Sequence, residues 1–309
     1  MFLFKKYLPY IAAFTYSSIF GFSFLFTKEG LEVIDPYRLL AFRFGLAALG
    51  ITFLWIVGLI KLNFRGRKMG LLLLLSLVQP FFYFVFETLG IRYTDSSEAG
   101  LVISLIPVVV TVMAVVFLKE KPTKLQTVFI LTSVFGVSFI MIMKGALQLE
   151  KDYRGLIFLA MAVLMGGIYN ILSRYLSLQF KPLEITFIMM WSGAVLFNAI
   201  SIINYKGTIR NYFLPLFNKT GLITVIYLGL FSSIVAFFML NYTLARLEAH
   251  RAAVFSNLTT VISIMAGVFI RGEDFYWFQI IGGILIIIGV WGTNYFGKTR
   301  KRAKEMPVS

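Results

Sequence analysis

The sequence predicts an all-α membrane protein with ten transmembrane helices, arranged as two inverted five-helix repeats around a central cavity. The first observation is a series of ten apolar stretches. Each is close to the roughly 20 helical residues that cross a hydrocarbon core of about 30 Å. The second is composition, since 59% of the 309 residues are hydrophobic and only 14% are charged, against about 25% in soluble domains. The third is an internal repeat at a separation of 153 positions.

The predicted spans follow one another with short connections, the longest near 204–220, so almost nothing remains for a soluble domain. Lys5 and Lys6 precede the first span as in a signal peptide. No small-residue cleavage site follows it, and we expect a retained helix. The sequence contains no cysteine, which excludes disulfides and thiolate metal sites. The predicted spans are 9–27, 36–60, 70–91, 97–118, 124–143, 155–176, 182–203, 221–243, 251–270 and 277–296.

The repeat divides the chain into two halves, predicted as 1–146 and 147–298, followed by a basic tail at 299–309. Residues 97–143 align with 250–296 without a gap. Because five is odd, the second half enters the membrane from the opposite side and is inverted relative to the first, as in many carriers. Glu120, Gln126 and Gly136 match Glu273, Gln279 and Gly289 at 153 positions, and Gly21, Lys28 and Pro36 match Gly167, Arg174 and Pro182 at 146 positions.

These matches select candidates for structural or gating roles. Lys28 and Arg174 occupy equivalent helix ends on opposite faces of the predicted membrane. Glu120 and Glu273 recur at matched helix ends, and we interpret both as loop-capping or gating residues rather than as ligands. Pro107 interrupts the backbone hydrogen bonds of the fourth span. That interruption either exposes a carbonyl group to the substrate or only kinks the helix.

The net charge of +15 does not indicate nucleic-acid binding, because the basic residues are divided unequally between the two membrane faces. Eighteen of the 29 lysines and arginines lie on the side that holds both termini, ten lie on the other side, and Arg43 lies inside a span. This bias predicts cytoplasmic termini and a multi-pass protein of the cytoplasmic membrane. We expect the basic segment KTRKRAK, at 298–304, to contact anionic lipid headgroups.

Polar side chains deep within the predicted spans indicate a central cavity, because they are costly against lipid and usually face protein or water. In the third span three of them share one helical face, and other spans carry similar stripes. For the small residues among them, helix packing is the alternative explanation. The candidate substrate-binding residues are Tyr16, Gln79, Tyr83, Glu87, Ser104, Asn170, Asn241, Tyr242, Ser256 and Asn257.

Two charged residues lie inside the spans, both in the outer half of the predicted membrane. Glu87 is about 24 Å from the cytoplasmic end of its span, and Arg43 is roughly 10 Å from the outer end of its own. One interpretation is a structural ion pair that joins the second span to the third. The other is a site at Glu87 for a substrate amine or a proton. The sequence leaves both open and favours a structural role for Arg43.

Several segments resemble the EamA-type members of the drug/metabolite transporter superfamily. The third-to-fourth helix region of that family is similar to FETLGIRYTDSSEAGLVISLIPVVVTVMAVVFLKEK at 86–121. Its first and second helices are similar to GFSFLFTKEGL at 21–31 and AFRFGLAA at 41–48. The layout of 155–295 is also similar and includes LARLEAHRAAVFSNLTTVIS at 244–263. The resemblance implies ten helices in two inverted repeats, with a cavity lined by helices 1, 3, 4, 6, 8 and 9. It also implies outward transport of small, often amino-acid-like metabolites.

The sequence therefore predicts a secondary-active transporter of a small metabolite, amino-acid-like and neutral or zwitterionic, that works as an exporter by alternating access. The alternatives are a channel and a lipid-handling membrane protein. A channel would need a ring of charge or a re-entrant filter loop, and neither is evident. We expect no enzymatic activity, because the sequence has no histidine cluster, no paired intramembrane aspartates and no G-x-S-x-G motif. We also expect no cofactor and no metal.

Overall fold

The computed structural model of the chain describes residues 2–94, 96–147, 153–272 and 274–296, and the regular structure within those ranges is helical throughout. A single 3-10 turn follows α9 in the connection between α8 and α10. The helices are α1 Phe2–Val33, α2 Pro36–Ile56, α3 Gly70–Arg92, α4 Ser96–Ile103, α5 Ile106–Leu118, α6 Lys124–Leu147, α7 Tyr153–Leu176, α8 Pro182–Asn204, α9 Ile209–Phe213, α10 Lys219–Leu244, α11 Ala249–Ala253, α12 Ser256–Arg271 and α13 Trp277–Tyr295.

Within the described ranges, eight helical segments are long and apolar enough to cross a membrane. They correspond to eight of the ten predicted spans. The fourth and fifth predicted spans contain shorter apolar stretches, Ile106–Leu118 and Lys124–Ile140. The fourth is shorter because its helix breaks just before Pro107, which has no N–H to continue the hydrogen-bond ladder. The ninth predicted span breaks in the same way just before Ser256, without a proline.

Helix starts are fixed by side chains that occur at matched positions along the chain. Pro36 and Pro182, 146 positions apart, are the first residues of α2 and α8, where a proline's missing N–H is not needed and its φ is already helical. Gln126 and Gln279, 153 positions apart, each accept a hydrogen bond from the backbone N–H three residues earlier, both at 2.9 Å. The repeated glutamines therefore cap the beginnings of α6 and α13.

The long helices pack in a small number of extended contacts. The α2 helix packs along α8 and the α6 helix along α13, while α1 packs against α10 and α12, and α7 against α3 and α5. Glycines bring α6 and α13 close together. A Cβ added at Gly136 would lie 2.7 Å from the Gly282 carbonyl oxygen, and one added at Gly289 would lie 2.6 Å from the Phe129 carbonyl oxygen. Small residues of this kind allow transmembrane helices to approach closely.

The outer surface of the bundle is apolar, and its interior holds polar side chains. Phe269 and Ile203 are each 79% exposed, whereas Asn241 and Asn257 are fully buried. In a soluble protein, fully buried polar residues and extended apolar surface are both unusual. In a bilayer the apolar surface faces acyl chains, and the polar groups find partners inside the protein. Together with the long apolar helices, this distribution indicates a multi-pass membrane protein.

The beginning of α1 and the end of α13 meet at one end of the bundle. Arg251 donates from Nη2 to the Tyr10 hydroxyl oxygen on α1 and to the Asn294 carbonyl oxygen on α13. We call this end the terminal side. The other end, where α1 finishes, is called the opposite side.

The glycine contact between α6 and α13 predicts that Gly289→Ala lowers the melting temperature of the purified protein. The added methyl group meets backbone atoms that cannot move independently, and overpacking of this kind costs about 1–3 kcal/mol. Gly283→Ala in the same helix is the matched control, because nothing lies within 4 Å of its added Cβ. Equal melting temperatures for the two variants in detergent would show that the close approach is not a stabilising contact.

Candidate functional site

A cavity lies in the middle of the bundle, between α1, α3, α7 and α10 and the two broken segments α4–α5 and α11–α12. About 580 Å³ of space between these elements, open solvent included, is not filled by protein atoms. These elements belong to predicted spans 1, 3, 4, 6, 8 and 9, which are the spans that the family resemblance implies as the cavity lining. The cavity is lined by Tyr16, Phe20, Ser23, Phe24, Gln79, Tyr83, Phe84, Glu87, Ile103, Ile106, Gly166, Tyr169, Asn170, Phe237, Leu240, Ala253, Ser256 and Thr259.

The structure brings together more than half of the candidate substrate-binding residues at this cavity. The candidates that line it are Tyr16, Gln79, Tyr83, Glu87, Asn170 and Ser256. The candidates that do not line it are Ser104, Asn241, Tyr242 and Asn257.

The backbone of α3 is interrupted at Gln79, beside the cavity. Gln79 has φ −149° and ψ 117°, which are extended values within an otherwise helical segment. The cause is Pro80, because a proline removes a backbone donor and disfavours a helical conformation in the residue before it. The side chain is 5% exposed, and its Oε1 has no hydrogen-bond partner. The helix break therefore leaves one buried acceptor unpaired on a residue of the cavity lining.

Glu87 lies two turns further along the same helix and is also 5% exposed. Tyr83 donates a hydrogen bond from its hydroxyl to Glu87 Oε1 over 3.0 Å, which orients the carboxylate. The second carboxylate oxygen has no hydrogen bond from the described residues and borders the cavity. Glu87 is therefore the one acidic residue of the lining.

The ion pair between Arg43 and Glu87, one of the two interpretations that the sequence left open, is not a direct salt bridge, although the two charges are close enough to act on each other. Arg43 instead donates from Nε to Ser233 Oγ and from Nη2 to Ser232 Oγ, both at 2.9 Å, on α10. Its guanidinium carbon lies 4.1 Å from the centre of the Phe84 ring. The matching depth of the two charges did not reveal that Arg43 is turned towards α10, whereas Glu87 is turned towards the cavity.

Asn170 contributes a second unpartnered amide oxygen. Its Nδ2 donates to the Gly166 carbonyl oxygen at 2.7 Å, which fixes the orientation of the amide, and its Oδ1 has no partner. The hydroxyl groups around it are already used by the protein. Tyr16 donates to the Ala252 carbonyl oxygen and Ser256 to the Ala253 carbonyl oxygen, both at 2.7 Å.

Asn241 does not line the cavity, which corrects its assignment as a ligand. Its Oδ1 accepts hydrogen bonds from the Tyr169 hydroxyl and from Ser173 Oγ, both at 2.6 Å, and its Nδ2 donates to Thr186 Oγ1 at 3.0 Å. The amide thus joins α10 to α7 and α8. Its polar atoms are occupied, and its contribution to the cavity is to position Tyr169, which does line it.

The other three candidates outside the lining also have structural positions. Asn257 donates from Nδ2 to Ser133 Oγ, so it faces α6. The Tyr242 ring lies under Arg246, whose guanidinium carbon is 3.5 Å from the ring centre. Ser104 is fully buried at the break between α4 and α5. Span depth and polarity predicted that these groups are away from lipid, but not the direction in which each helix turns them.

On the terminal side, one carboxylate connects four helical segments below the cavity. Glu120 Oε1 accepts from Arg174 Nε at 3.1 Å, and its Oε2 accepts from the Ala249 backbone N–H at 2.7 Å. Arg174 also donates from Nη1 to the Leu244 carbonyl oxygen at 2.8 Å. These bonds hold the ends of α5, α7 and α10 and the start of α11 together.

On the opposite side, Lys28 makes the contact that corresponds to that of Arg174. Its Nζ donates to the carbonyl oxygens of Ile91, at 3.2 Å, and Thr94 at the end of α3. Lys28 and Arg174 are 146 positions apart, and Ile91 and Leu244 are 153 positions apart. The two offsets found in the sequence therefore relate two cation–carbonyl contacts at opposite ends of the bundle.

Two further candidates for structural or gating roles have different outcomes. Pro107 is the second residue of α5, directly after the break in the fourth predicted span, and its carbonyl oxygen accepts from Thr111 Oγ1 at 2.6 Å. Its carbonyl group is thus used within its own helix. Glu273 lies outside the described residues.

Sequence reasoning missed most of the aromatic lining. Phe237 is at its centre, with ring-centre distances of 5.3 Å to Phe20, 5.8 Å to Phe84 and 6.0 Å to Tyr169. Such edge-on ring contacts add to the stability of apolar packing. Aromatic residues are abundant throughout this chain, so their type alone does not separate the cavity from the lipid surface.

A signal that identifies the missed residues is the repeat offset itself, applied to each lining position. Fourteen of the 18 lining residues form such pairs, either between α1 and α7 or between the first-half elements α3 and α4–α5 and the second-half elements α10 and α11–α12. The positions that correspond to Tyr16, Gln79, Tyr83 and Ala253 are not among the lining residues. The pairs at 146 positions are Phe20 with Gly166, Ser23 with Tyr169 and Phe24 with Asn170, and the pairs at 153 positions are Phe84 with Phe237, Glu87 with Leu240, Ile103 with Ser256 and Ile106 with Thr259.

Comparison with known families gives two matches to one family model. The model of the EamA-like transporter family matches residues 8–142 and again residues 153–295. A solved crystal structure aligns with a TM-score of 0.76, covering 94% of this chain and 99% of the other, at 18% identity. At that identity, the likeness shows a shared fold.

Relatives of similar length carry transporter names. The uncharacterized transporter YcxC of Bacillus subtilis (strain 168) is 37% identical over 301 residues, which are 97% of this chain and 96% of the relative. An uncharacterized transporter of Archaeoglobus fulgidus is 24% identical over 89% of this chain and 94% of its own length. The probable terminal-alkyne amino-acid exporter of Streptantibioticus cattleyicolor is 24% identical over 79% of each chain.

The position of Asn241 predicts a structural phenotype for Asn241→Ala. The substitution leaves the buried hydroxyls of Tyr169 and Ser173 without their acceptor, which costs about 1–3 kcal/mol for each group left unpaired. We expect a clearly lower melting temperature in detergent. Asn204→Ala is the matched control, because Asn204 is exposed at the end of α8 and bonds only its own helix. An unchanged melting temperature for Asn241→Ala would contradict the structural assignment.

Proposed function

This chain belongs to the EamA-like transporter family, and from that premise we propose that it is a secondary-active carrier. It moves a small metabolite across the cytoplasmic membrane by alternating access, in the outward direction. The observation that carries the proposal is the central cavity. It lies in the middle of an apolar bundle, and its lining includes the polar side chains of Gln79, Glu87 and Asn170.

The proposed architecture is ten spans in two inverted repeats, with the halves at 1–146 and 147–298. Three kinds of contact support it. The lining residues recur at fixed offsets, the cation–carbonyl contacts of Lys28 and Arg174 recur at opposite ends, and the helix contacts occur in related pairs. The α1 helix packs on α10 and α12, while its counterpart α7 packs on α3 and α5. This is the pattern expected from a twofold axis in the membrane plane.

Alternating access requires that the cavity close at one end while it opens at the other. In the proposed cycle the Glu120–Arg174 cluster, which joins four helical segments, closes the terminal side. Lys28, which joins α1 to the end of α3, has the corresponding role on the opposite side. We assign gating roles to Lys28, Glu120, Arg174 and Glu273. In this assignment the two ends exchange their contacts as the halves move relative to each other.

The substrate that we propose is small, amino-acid-like, and neutral or zwitterionic. The lining has one acidic residue and several polar groups among mainly aromatic and aliphatic side chains, which suits an amphipathic solute. The name of the Streptantibioticus relative, a probable terminal-alkyne amino-acid exporter, is consistent with this class and with export. The basic tail at 299–309, outside the described residues, is proposed to bind anionic lipid headgroups.

A carrier of this kind predicts saturable counterflow in proteoliposomes loaded with the solute. A thermal-shift screen of the purified protein against a metabolite library identifies the solute, since a ligand of the folded state raises the melting temperature. We expect Tyr83→Phe and Asn170→Ala to lower the counterflow rate at least about tenfold, which corresponds to roughly 1.4 kcal/mol, with little change in melting temperature.

Ser18→Ala is a suitable control for these variants, because Ser18 is away from the lining and bonds within its own helix. Wild-type rates in both cavity variants would refute the cavity assignment. Non-saturating conductance would show that the protein is a channel and not a carrier.

The unequal distribution of basic residues predicts the orientation of the chain. Since 18 of the lysines and arginines lie on the side that holds both termini, we expect that side to be cytoplasmic. A reporter fused after Lys304 should be active only in its cytoplasmic form, whereas one inserted near Gly207 should be active only in its periplasmic form. Periplasmic activity at the carboxyl terminus would overturn the assignment.

A further inference from the structure

We propose that the cavity selects solutes by a protonated amine held at Glu87 and provides no cation for a carboxylate. Amphipathic monoamines, with an ammonium group on an aromatic or branched aliphatic body, then bind more tightly than the amino acids that carry the same body. This inference rests on the carrier function proposed above and narrows its substrate class.

The first step is the acceptor that the cavity offers. Glu87 lines the cavity, and one of its carboxylate oxygens has no hydrogen bond from the described residues. The amide oxygens of Gln79 and Asn170 also lack partners among the described residues, but both atoms are shielded by the protein. An ammonium group has three donors and no acceptor. Its charge is therefore matched by the Glu87 carboxylate.

The second step is the shortage of donors. The hydroxyl protons of the tyrosines and of two serines in the lining are directed to protein acceptors, which leaves Thr259 and the Gln79 amide nitrogen as donors for a ligand. These hydroxyl hydrogen bonds run from Tyr16 to Ala252, from Tyr83 to Glu87, from Tyr169 to Asn241, from Ser23 to Phe20 and from Ser256 to Ala253.

The third step is charge. None of the described residues that line the cavity is a lysine, arginine or histidine. Arg43 is near enough for its charge to act on Glu87, but it is not in the lining. Its Nε and Nη2 are bonded to Ser233 and Ser232, and the Phe84 ring, which lines the cavity, lies over its guanidinium group. A carboxylate transferred from water into this cavity would lose hydration without meeting a cation in the lining. An ammonium group gains Glu87.

The fourth step is the body of the solute. Phe20, Phe24, Phe84 and Phe237 provide aromatic walls, and Leu240 stands at the position 153 residues after Glu87. Glu87 therefore has an aliphatic counterpart in the second half of the chain. Aromatic ring faces also attract an ammonium group. A small aromatic or branched aliphatic amine combines a charge that matches Glu87 with a body that matches the apolar side chains of the lining.

The test compares ligands that share one body and differ in charge. The full-length protein in nanodiscs binds radiolabelled phenethylamine in competition with unlabelled phenethylamine, L-phenylalanine, 2-phenylethanol or 3-phenylpropionate, with empty nanodiscs correcting for partition into lipid. A second series uses 3-methylbutylamine and L-leucine. We expect at least about tenfold tighter binding of the amine than of the amino acid in one series, and the weakest binding for the carboxylate without an amine.

Glu87→Gln should abolish the preference for the amine over the alcohol, while Glu32→Gln, an exposed carboxylate distant from the cavity, should leave it unchanged. If Glu87→Gln does not fold, the wild-type ligand series decides alone. Equal or tighter binding of the amino acids, or no binding of either amine, overturns the inference. Saturable counterflow of an amino acid without a preference for amines would leave the carrier function standing and refute only the amine site.

Discussion

Polar side chains inside this bundle must find their partners within the protein, because the surrounding hydrocarbon offers none. Asn241 shows how far this requirement shapes the interior, since one amide serves two hydroxyl donors and one acceptor on neighbouring helices. Arg43 meets it with two serines and an aromatic ring in place of a carboxylate. Several buried polar atoms of the described residues have no such partner, among them Gln79 Oε1 and Asn170 Oδ1 on lining residues and Thr88 Oγ1 and Asn257 Oδ1 outside the lining. The requirement is therefore met unevenly within the bundle.

The sequence was sufficient for the helical class and for eight long apolar spans. Its repeat offsets marked Gln126 and Gln279 but did not indicate that these residues cap α6 and α13. Hydrophobic length and repeat offsets are properties of the chain alone. The direction in which a buried helix turns a side chain depends on its neighbours, which explains why Asn241 and Asn257 do not line the cavity and why Arg43 bonds to two serines on α10. Phenylalanine occurs both in the cavity lining and on the lipid-facing surface. The aromatic lining residues were therefore predictable only by applying the 146- and 153-residue offsets to every position.

The related lining positions differ in a way that matters for recognition. The packing around the cavity is similar in the two halves of the chain. Phe84 contacts its counterpart Phe237, and Lys28 donates to a backbone carbonyl group as Arg174 does. The polar groups are not similar, because Glu87 corresponds to Leu240 and Gln79 to Ser232. Similar packing in the two halves suits a carrier that opens alternately to each side of the membrane. Different polar groups in the two halves of the lining give the solute one orientation in the cavity.

The glycine contact between α6 and α13 has a consequence for how such a chain arises. Gly136 faces Gly282, and Gly289 faces Phe129, with each contact the image of the other at the 153-residue offset. An interface built from the same positions on both partners is the kind formed by a twofold homodimer. A single half would carry a surface complementary to a second copy of itself in the opposite orientation. Duplication and fusion of the gene would then replace an encounter between two molecules by an intramolecular one, and each half could afterwards change its lining independently.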